Sequence, residues 1–482
     1  MRNLYPLLGA VLALATSAAL AAVPAGEAAR LKNDLTPLGA ERAGNAAGTI
    51  PAWEGGLAQP PAGYVPGRHR PDPFAADKPL FTITQANLAQ YQANLTPGEI
   101  ALFKAYPDSF QMPVYPTRRT GAAPQWVYDN VFRNATSARL AEGGNGFTEA
   151  FGGVPFPIPA NGLEALWNHI ARYRGSYFVR NSSEAAVQRD GSFTPVTTQY
   201  DMLFKYYQQG GNFAGLNNTL FYYQTLTKAP ARMAGAANLV RETLDQAKEP
   251  RQAWTYNPGQ RRVRRAPLFA YDTPGSSTDG LRTMDDTDMF NGAPDRFDWT
   301  LVGKREIYIP YNNYRLGSPQ VKYKDLIEPG HLDPQYTRYE LHRVWVVEGR
   351  LKPGARHIYS KRTLYLDEDS WSVAVVDQYD SRGDLWRVSM AYLAGLYELP
   401  ATGAILDVFH DLQSRRYMVQ WLDNEQPGTT DYSQPAPNED YFSPASLRRV
   451  AFAEHAPRPG TFPASHPGRS HPAGNLQPSA KP

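Results

Sequence analysis

The stretch 336–393 limits the folds open to this chain more than any other. It reads YTRYELHRVWVVEGRLKPGARHIYSKRTLYLDEDSWSVAVVDQYDSRGDLWRVSMAYL. Four runs rich in Val, Leu, Ile, Tyr and Trp are separated by the turns Lys352-Pro353-Gly354, Asp367-Glu368-Asp369-Ser370 and Asp380-Ser381-Arg382-Gly383. Such residues fit the pleated surface of a strand, and short polar turns join antiparallel neighbours. The spacing predicts a four-stranded meander. Trp371, Val373 and Val375 alternate with Ser372 and Ala374, and Trp386, Val388, Met390 and Tyr392 alternate with Arg387, Ser389 and Ala391. Period two sends one set to a buried face. Trp, Tyr and Met dominate that set, so it suits an ordinary core or the wall of an apolar pocket.

Strand signals recur elsewhere. Residues 177–180 and 194–207 read as a hairpin turning at Asp190-Gly191, and 253–265 as another turning at Asn257-Pro258-Gly259. Residues 218–227, 304–310, 404–410 and 416–422 add strands, and QWVYDNVFRN from Gln125 reads as one too. Helices are few. Thr96-Pro97-Gly98-Glu99 is a capping box with Pro at N1 and opens a helix to about Tyr106. Asn161 caps a second, whose Leu163, Leu166, Trp167 and Ile170 make one apolar face. No repeat of fixed length is visible, which argues against a propeller or solenoid. The fold class expected is mainly β: one large curved antiparallel sheet, closed or half closed around its helices.

The ends read differently. Arg2 and the apolar run 7–20 form a secretory signal with a small-x-small site at Ala19-Leu20-Ala21, so residues 1–21 are a signal peptide and the periplasm is the expected home. Residues 22–80, rich in Pro, Gly and Ala, read as an extended arm that wraps a scaffold or is partly disordered; 81–455 form the β domain, with a long acidic surface loop over 271–299. Residues 456–482, rich in Pro, Ser, Gly and His, read as a disordered tail. There is no cysteine, which excludes disulfides, thiolate metal sites and a lipid-modified N-terminal Cys. A net charge of +3 points to no nucleic-acid partner, and no run beyond the signal is long enough to span a bilayer.

Enzyme motifs are absent: no G-x-S-x-G, no P-loop, no H-E-x-x-H, no dinucleotide-binding glycine turn. His342 and His357, on neighbouring expected strands, read as locally bonded side chains before a metal pair. Asp285-Asp286-Thr287-Asp288 with Asn291-Gly292 faintly suggests a calcium loop, but its spacing is wrong for an EF-hand and a solvated loop is the commoner case. Arg261, Arg262, Arg264 and Arg265 suit an anion site or a hairpin edge kept soluble by charge. Candidate site residues are Trp167 on the capped helix and Trp254, Trp371 and Trp386 on strands, grouped around an apolar ligand, with Arg262 or Arg264 beside its head. No catalytic residue, metal or cofactor is expected.

LTPLGAERAGNAAGTIPAWEGG, AWTYNPGQRRVRRAP with YDTPGSSTDGLRT, and YELHRVWVVEGRLKPGARHIYSKRTLYLDEDSW together resemble one secreted Gram-negative family, catalogued as a domain of unknown function and often labelled outer-membrane lipoprotein-sorting proteins. The likeness runs to about Ala453. It implies a fold related to the LolA/LolB lipoprotein carriers, a half-open barrel lidded by helices. It also implies partnership with an RND-type exporter and an outer-membrane protein. The reading that follows is a periplasmic carrier of lipids or other hydrophobic molecules; the alternative is a secreted hydrolase or metal-dependent enzyme acting on such a molecule.

Overall fold

The computed structural model of the protein describes residues 22–266 and 269–453, so the expected signal segment and tail lie outside the described residues. The short strands β1 (Phe81–Ile83) and β2 (Met112–Val114) begin the sheet, and β3 (Arg139–Leu140) with β4 (Phe147–Thr148) forms a separate small pair. Six strands then follow as consecutive antiparallel neighbours: β5 (Tyr177–Val187), β6 (Val196–Phe204), β7 (Thr219–Ala229), β8 (Ala237–Thr243), β9 (Gln252–Asn257) and β10 (Arg262–Arg265). The long β11 (Phe297–Pro310) pairs with β12 (Tyr339–Leu351). The expected meander is present as β12, β13 (Lys361–Asp367), β14 (Val373–Tyr379) and β15 (Leu385–Leu396), and it continues through β16 (Ala401–Asp411) and β17 (Arg416–Leu422). β17 pairs with β5, which joins the two meanders into one sheet of fifteen strands. The sheet is mixed only where β2 lies parallel to β12, and it is not closed: its path runs from β1 to β10, so the barrel expectation stops at an open sheet.

Alternation predicted one buried face for the meander, but β14 is buried at Val373 through Gln378 and β15 along most of its length. Both faces are covered, as in parallel sheets with helices on either side. On one face Asp377 accepts hydrogen bonds from the N–H of Gly98 (3.1 Å) and the hydroxyl of Thr96, at the start of the helix Pro97–Ala105, whose capping box forms as expected. On the other, the neighbouring Gln378 donates to Asp286 of the acidic loop at 3.2 Å. Two strand expectations change. QWVYDNVFRN is a helix, Gln125–Ser137: Pro124 ends the extended chain before it, and Val127, Val131, Asn134 and Ala135 bury one helical face. Trp371 is a turn residue before β14, with φ of 62°.

The arm is ordered and seated. Its first residues coil into short helical turns, and Leu31 and Leu35 pack on Ala135. Beyond them it has little secondary structure, so its carbonyls need donors from outside. Arg119 supplies them. Its Nε and Nη2 hold Asp369 at 3.0 and 2.7 Å, while Nη2 reaches the Glu41 carbonyl (2.7 Å) and Nη1 those of Arg42 and Pro51 (3.2 Å each). Trp371 Nε1 donates to the Leu38 carbonyl at 2.8 Å, and a buried Arg70–Glu398 pair ties down the far end of the arm.

Arg119→Ala removes the donor to these carbonyls and leaves the Asp369 carboxylate buried without its ion pair. It should destabilise the fold by about 3–5 kcal/mol and make residues 22–60 the first segment cut by protease. Urea unfolding followed by circular dichroism checks this; a loss below about 1 kcal/mol, the range of an exposed pair, would show that the arm is not held through Arg119.

Candidate ligand-binding cleft

The residues of β5 to β7 that face the acidic loop line up across the sheet. Arg180 stands opposite Tyr200 and Tyr200 opposite Thr225; Phe178 stands opposite Met202 and Met202 opposite Tyr223; Phe204 faces Phe221. With Asp407 of β16 and Gln420 and Trp421 of β17 they form the floor of a cleft of about 210 Å³. Its roof is the acidic loop, through Ser276, Arg282, Met284, Thr287, Asp288 and Asn291.

A bulge shapes the floor. Register shifts between Val419 and Leu422, and Trp421 sits there at φ of 75°. Regular pleating would send Gln420 and Trp421 to opposite faces; the bulge turns both into the cleft. A bulky residue at such a φ is an outlier, and strain of this kind gathers at functional sites. The ring is held by a hydrogen bond from its Nε1 to Asp407 (2.8 Å), by Tyr200 edge-on at 4.9 Å and by Arg180 over its face at 4.7 Å.

The roof is seated by charge. Asp285 takes hydrogen bonds from His357 Nε2 (2.9 Å) and Arg362 (3.0 Å), and Asp286 from the Tyr359 hydroxyl (2.8 Å). Asp288 accepts both Nη atoms of Arg172, at 2.8 and 2.5 Å, and Arg174 at 2.6 Å. His169 Nδ1 accepts the Val373 N–H at 3.1 Å, so its Nε2 carries the proton and donates to the Asp288 carbonyl at 2.8 Å. Burial, with Arg172 adding to it, drops the pKa of His169 to about 3, so the ring is neutral. The expected solvated loop is therefore turned inward: Asp285 and Asp286 are buried and paired, where a calcium loop would leave its carboxylates free for the ion.

His342 and His357 take different partners. His342 donates to Glu340 at 3.0 Å, while His357 binds Asp285. Burial opposes charge on His342, yet Glu340 outweighs it and raises its pKa. Ligand atoms of His342, Asp367 and Asp369 lie within 4.8 Å of one another. Each already has a protein partner: Asp369 holds Arg119, and Asp367 accepts the hydroxyls of Tyr311 (2.9 Å) and Ser370 (2.5 Å). The cluster reads as a buried network that anchors the turn.

None of the four tryptophans named from sequence lines the cleft. Trp167 is buried against Phe147 and donates to the Gly144 carbonyl. Trp371 stacks on Trp345 and clamps the arm. Trp254 lies on the opposite face of the sheet, in a second core with Phe442 and Leu447. Trp386 packs on Tyr359 and bonds Asp411. Arg262 and Arg264 are exposed on the edge strand β10. The structure does not bring these six residues together, because ring size carries no information on which face of a twisted sheet a residue joins. A signal for the real cleft existed: Arg180 and Glu184 recur at one parity in a run otherwise suited to a strand, and buried charge at period two marks a polar interior face.

Two carboxyls inside the cleft are perturbed. Burial raises Asp407 to about 7, and the Asp288 charge adds to the effect. Burial likewise raises Glu184 to about 7, against the opposing pull of Arg282. Both bind their protons more tightly folded than unfolded. Their contribution to stability is therefore complete below the unfolded carboxyl pKa of about 4 and is lost as pH rises through about 7. Glu184→Gln with Asp407→Asn cannot titrate, so its urea midpoint should gain on the wild type between these pH values. Parallel curves for the two proteins would show that neither carboxyl is perturbed by folding.

Comparison with known proteins now places the chain. It is 50% identical over 439 residues to an uncharacterised protein of Pseudomonas aeruginosa, covering 91% of this chain and 96% of that one. Among solved structures it is similar to a putative outer membrane lipoprotein-sorting protein domain from Vibrio parahaemolyticus (14% identity, TM-score 0.40, 60% of this chain and 98% of the other). It is also similar to a LolA superfamily protein from Nitrosomonas europaea (14% identity, TM-score 0.34, 59% and 98%). Residues 82–448 match the family described as protein of unknown function, DUF1329, and the chain belongs to that family.

Proposed function

We propose that the protein is a binding protein for an amphipathic, lipid-like molecule, held in the cleft between β5–β7 and the acidic loop. One observation carries this reading: the same cleft presents Phe178, Met202, Phe204, Phe221 and Leu396 beside the guanidiniums of Arg70, Arg174, Arg180 and Arg282. An acyl chain is driven off water by roughly 0.8 kcal/mol for each methylene buried, and guanidinium is the side chain best matched to an anionic head. The pairing of both surfaces in one cavity suits a molecule with both parts. In this reading the ligand site moves from the tryptophans and Arg262 or Arg264 to this cleft. The periplasm, from the signal sequence, and an RND-type exporter with an outer-membrane protein, from the family resemblance, remain the proposed setting and partners. Among the described residues no helix is long and apolar enough to cross a membrane.

Titration with an environment-sensitive fatty-acid probe tests the proposal. Binding should saturate and be competed by unlabelled lysophospholipid. Phe221→Ala and Tyr223→Ala should each weaken it about tenfold, or ~1.4 kcal/mol. Trp254→Ala, on the opposite face of the sheet, should leave it unchanged. A probe that never saturates, or that responds to Trp254→Ala and ignores the cleft variants, overturns the reading.

A further inference from the structure

The cleft is more selective than an apolar pocket with positive charge. Arg174 Nε, Arg180 Nε, Arg282 Nε, Asp407 Oδ1 and Gln420 Oε1 are all buried, and none has a hydrogen-bond partner in the protein. All five side chains line the cleft. Buried polar atoms are ordinarily satisfied; these five lie just beneath the cleft surface, so a ligand pairs with them when their side chains turn toward it. The set has two halves. Three are N–H donors on guanidiniums. Two are acceptors, and they stand directly opposite each other, since Asp407 of β16 faces Gln420 of β17 in the ladder. Glu184, on the same floor, adds a further carboxyl.

An anion alone satisfies the donors and leaves the acceptors orphaned. A hydrocarbon satisfies neither half. A group with a phosphate at one end and an N–H-rich cation at the other satisfies both. Guanidiniums fork onto phosphate oxygens, and an ammonium brings three donors and no acceptor to meet Asp407, Gln420 and Glu184. Net charge agrees, because a zwitterion enters a cleft of mixed sign without leaving an unpaired buried charge. The apolar remainder has its own wall: Arg174 lies over the rings of Phe204 and Phe221, at 5.0 and 6.0 Å, so the change from polar to apolar lining occurs within one side chain's reach.

We infer that the cleft takes a phosphoethanolamine headgroup, a phosphate ester carrying a primary ammonium, with its chain along Met202, Phe204 and Phe221. This rests on the carrier reading and gives its ligand a chemical class. The raised pKa values of Asp407 and Glu184 accord with it, since a ligand ammonium beside them restores the charged form that burial disfavours.

The test compares headgroups on one chain length, by isothermal titration with the full mature chain below the critical micelle concentration. Lysophosphatidylethanolamine should bind at least tenfold tighter than lysophosphatidylcholine, which has the same charges but no N–H, and tighter than lysophosphatidylglycerol, which has no cation. Asp407→Asn and, separately, Gln420→Leu should each narrow the gap between the first two; circular dichroism confirms that each variant is folded. Equal affinity for the ethanolamine and choline lipids overturns this inference and leaves the carrier reading standing. Free phosphoethanolamine that binds as tightly as its lysolipid keeps the headgroup assignment and overturns the carrier reading. No saturable binding of any of the four sinks both.

Discussion

Buried guanidinium–carboxylate pairs hold the arm and the acidic loop onto this sheet, and the loop so held roofs the cleft. A sheet whose two faces are both buried must be covered by chain outside its ladder. Here the helix Pro97–Ala105 lies on one side and the acidic loop on the other, and the arm adds a further cover that brings few backbone partners of its own. Arg119 seats the arm on the turn at Asp369, while Arg172 and Arg174 seat the loop through Asp288. Each guanidinium has five donors in a fixed plane, enough to hold a carboxylate and still reach backbone carbonyls. Such pairs add little net stability over a well-packed apolar replacement, yet removing one partner is costly. They therefore set where the covers sit more than how tightly the whole is bound.

This division explains what could be read from sequence. The meander, the hairpin of β5 and β6, the hairpin of β9 and β10 and both capped helices follow from local rules of alternation, turn residues and capping, and these elements appear, although β5 runs on past the expected Arg180 to Val187. The segment from Gln125 fails because its Trp, Val and Tyr favour strands locally, while the burial that makes it a helix is tertiary: Asn130 and Asn134 bind the carbonyls of Gly152 and Gly153. The arm reads only in outline, as extended chain that wraps a scaffold or is partly disordered, for the same reason. Its path between residues 33 and 60 depends on Arg119, more than fifty residues on, which supplies donors to its carbonyls.

The candidate site was harder to read than the fold. Tryptophan is conspicuous in a sequence, but a large ring is used wherever a large space must be filled: Trp167 and Trp371 belong to the main core, Trp254 packs on a second, and Trp386 sits by Tyr359 and Asp411. Trp421, the tryptophan that does line the cleft, stands there because of a bulge, and no composition rule announces a bulge. Charged residues at one parity of a strand were the better signal. A buried face does not accept Arg180 and Glu184 without a use for them, whereas it accepts any aromatic.

Roof and cleft lining share their residues. Asp288 pairs with both Arg172 and Arg174, its charge also acts on Asp407 across the cleft, and Asp407 fixes Trp421. A group that draws Arg174 toward itself weakens one tie on the roof, and one that ionises Asp407 places a second negative charge opposite Asp288. Occupation of the cleft and the position of its cover are thus two readings of one electrostatic balance. Substitutions along this chain will not add: each changes what the next residue is paired with, as in any buried polar network whose members have a partner in common. The carbonyl-bound His169 limits how far that balance can move, because a neutral ring packed beneath Arg172 cannot take up the charge if the carboxylate turns away. The roof is left tied to this end of the floor through the Asp288 carboxylate and its two guanidiniums.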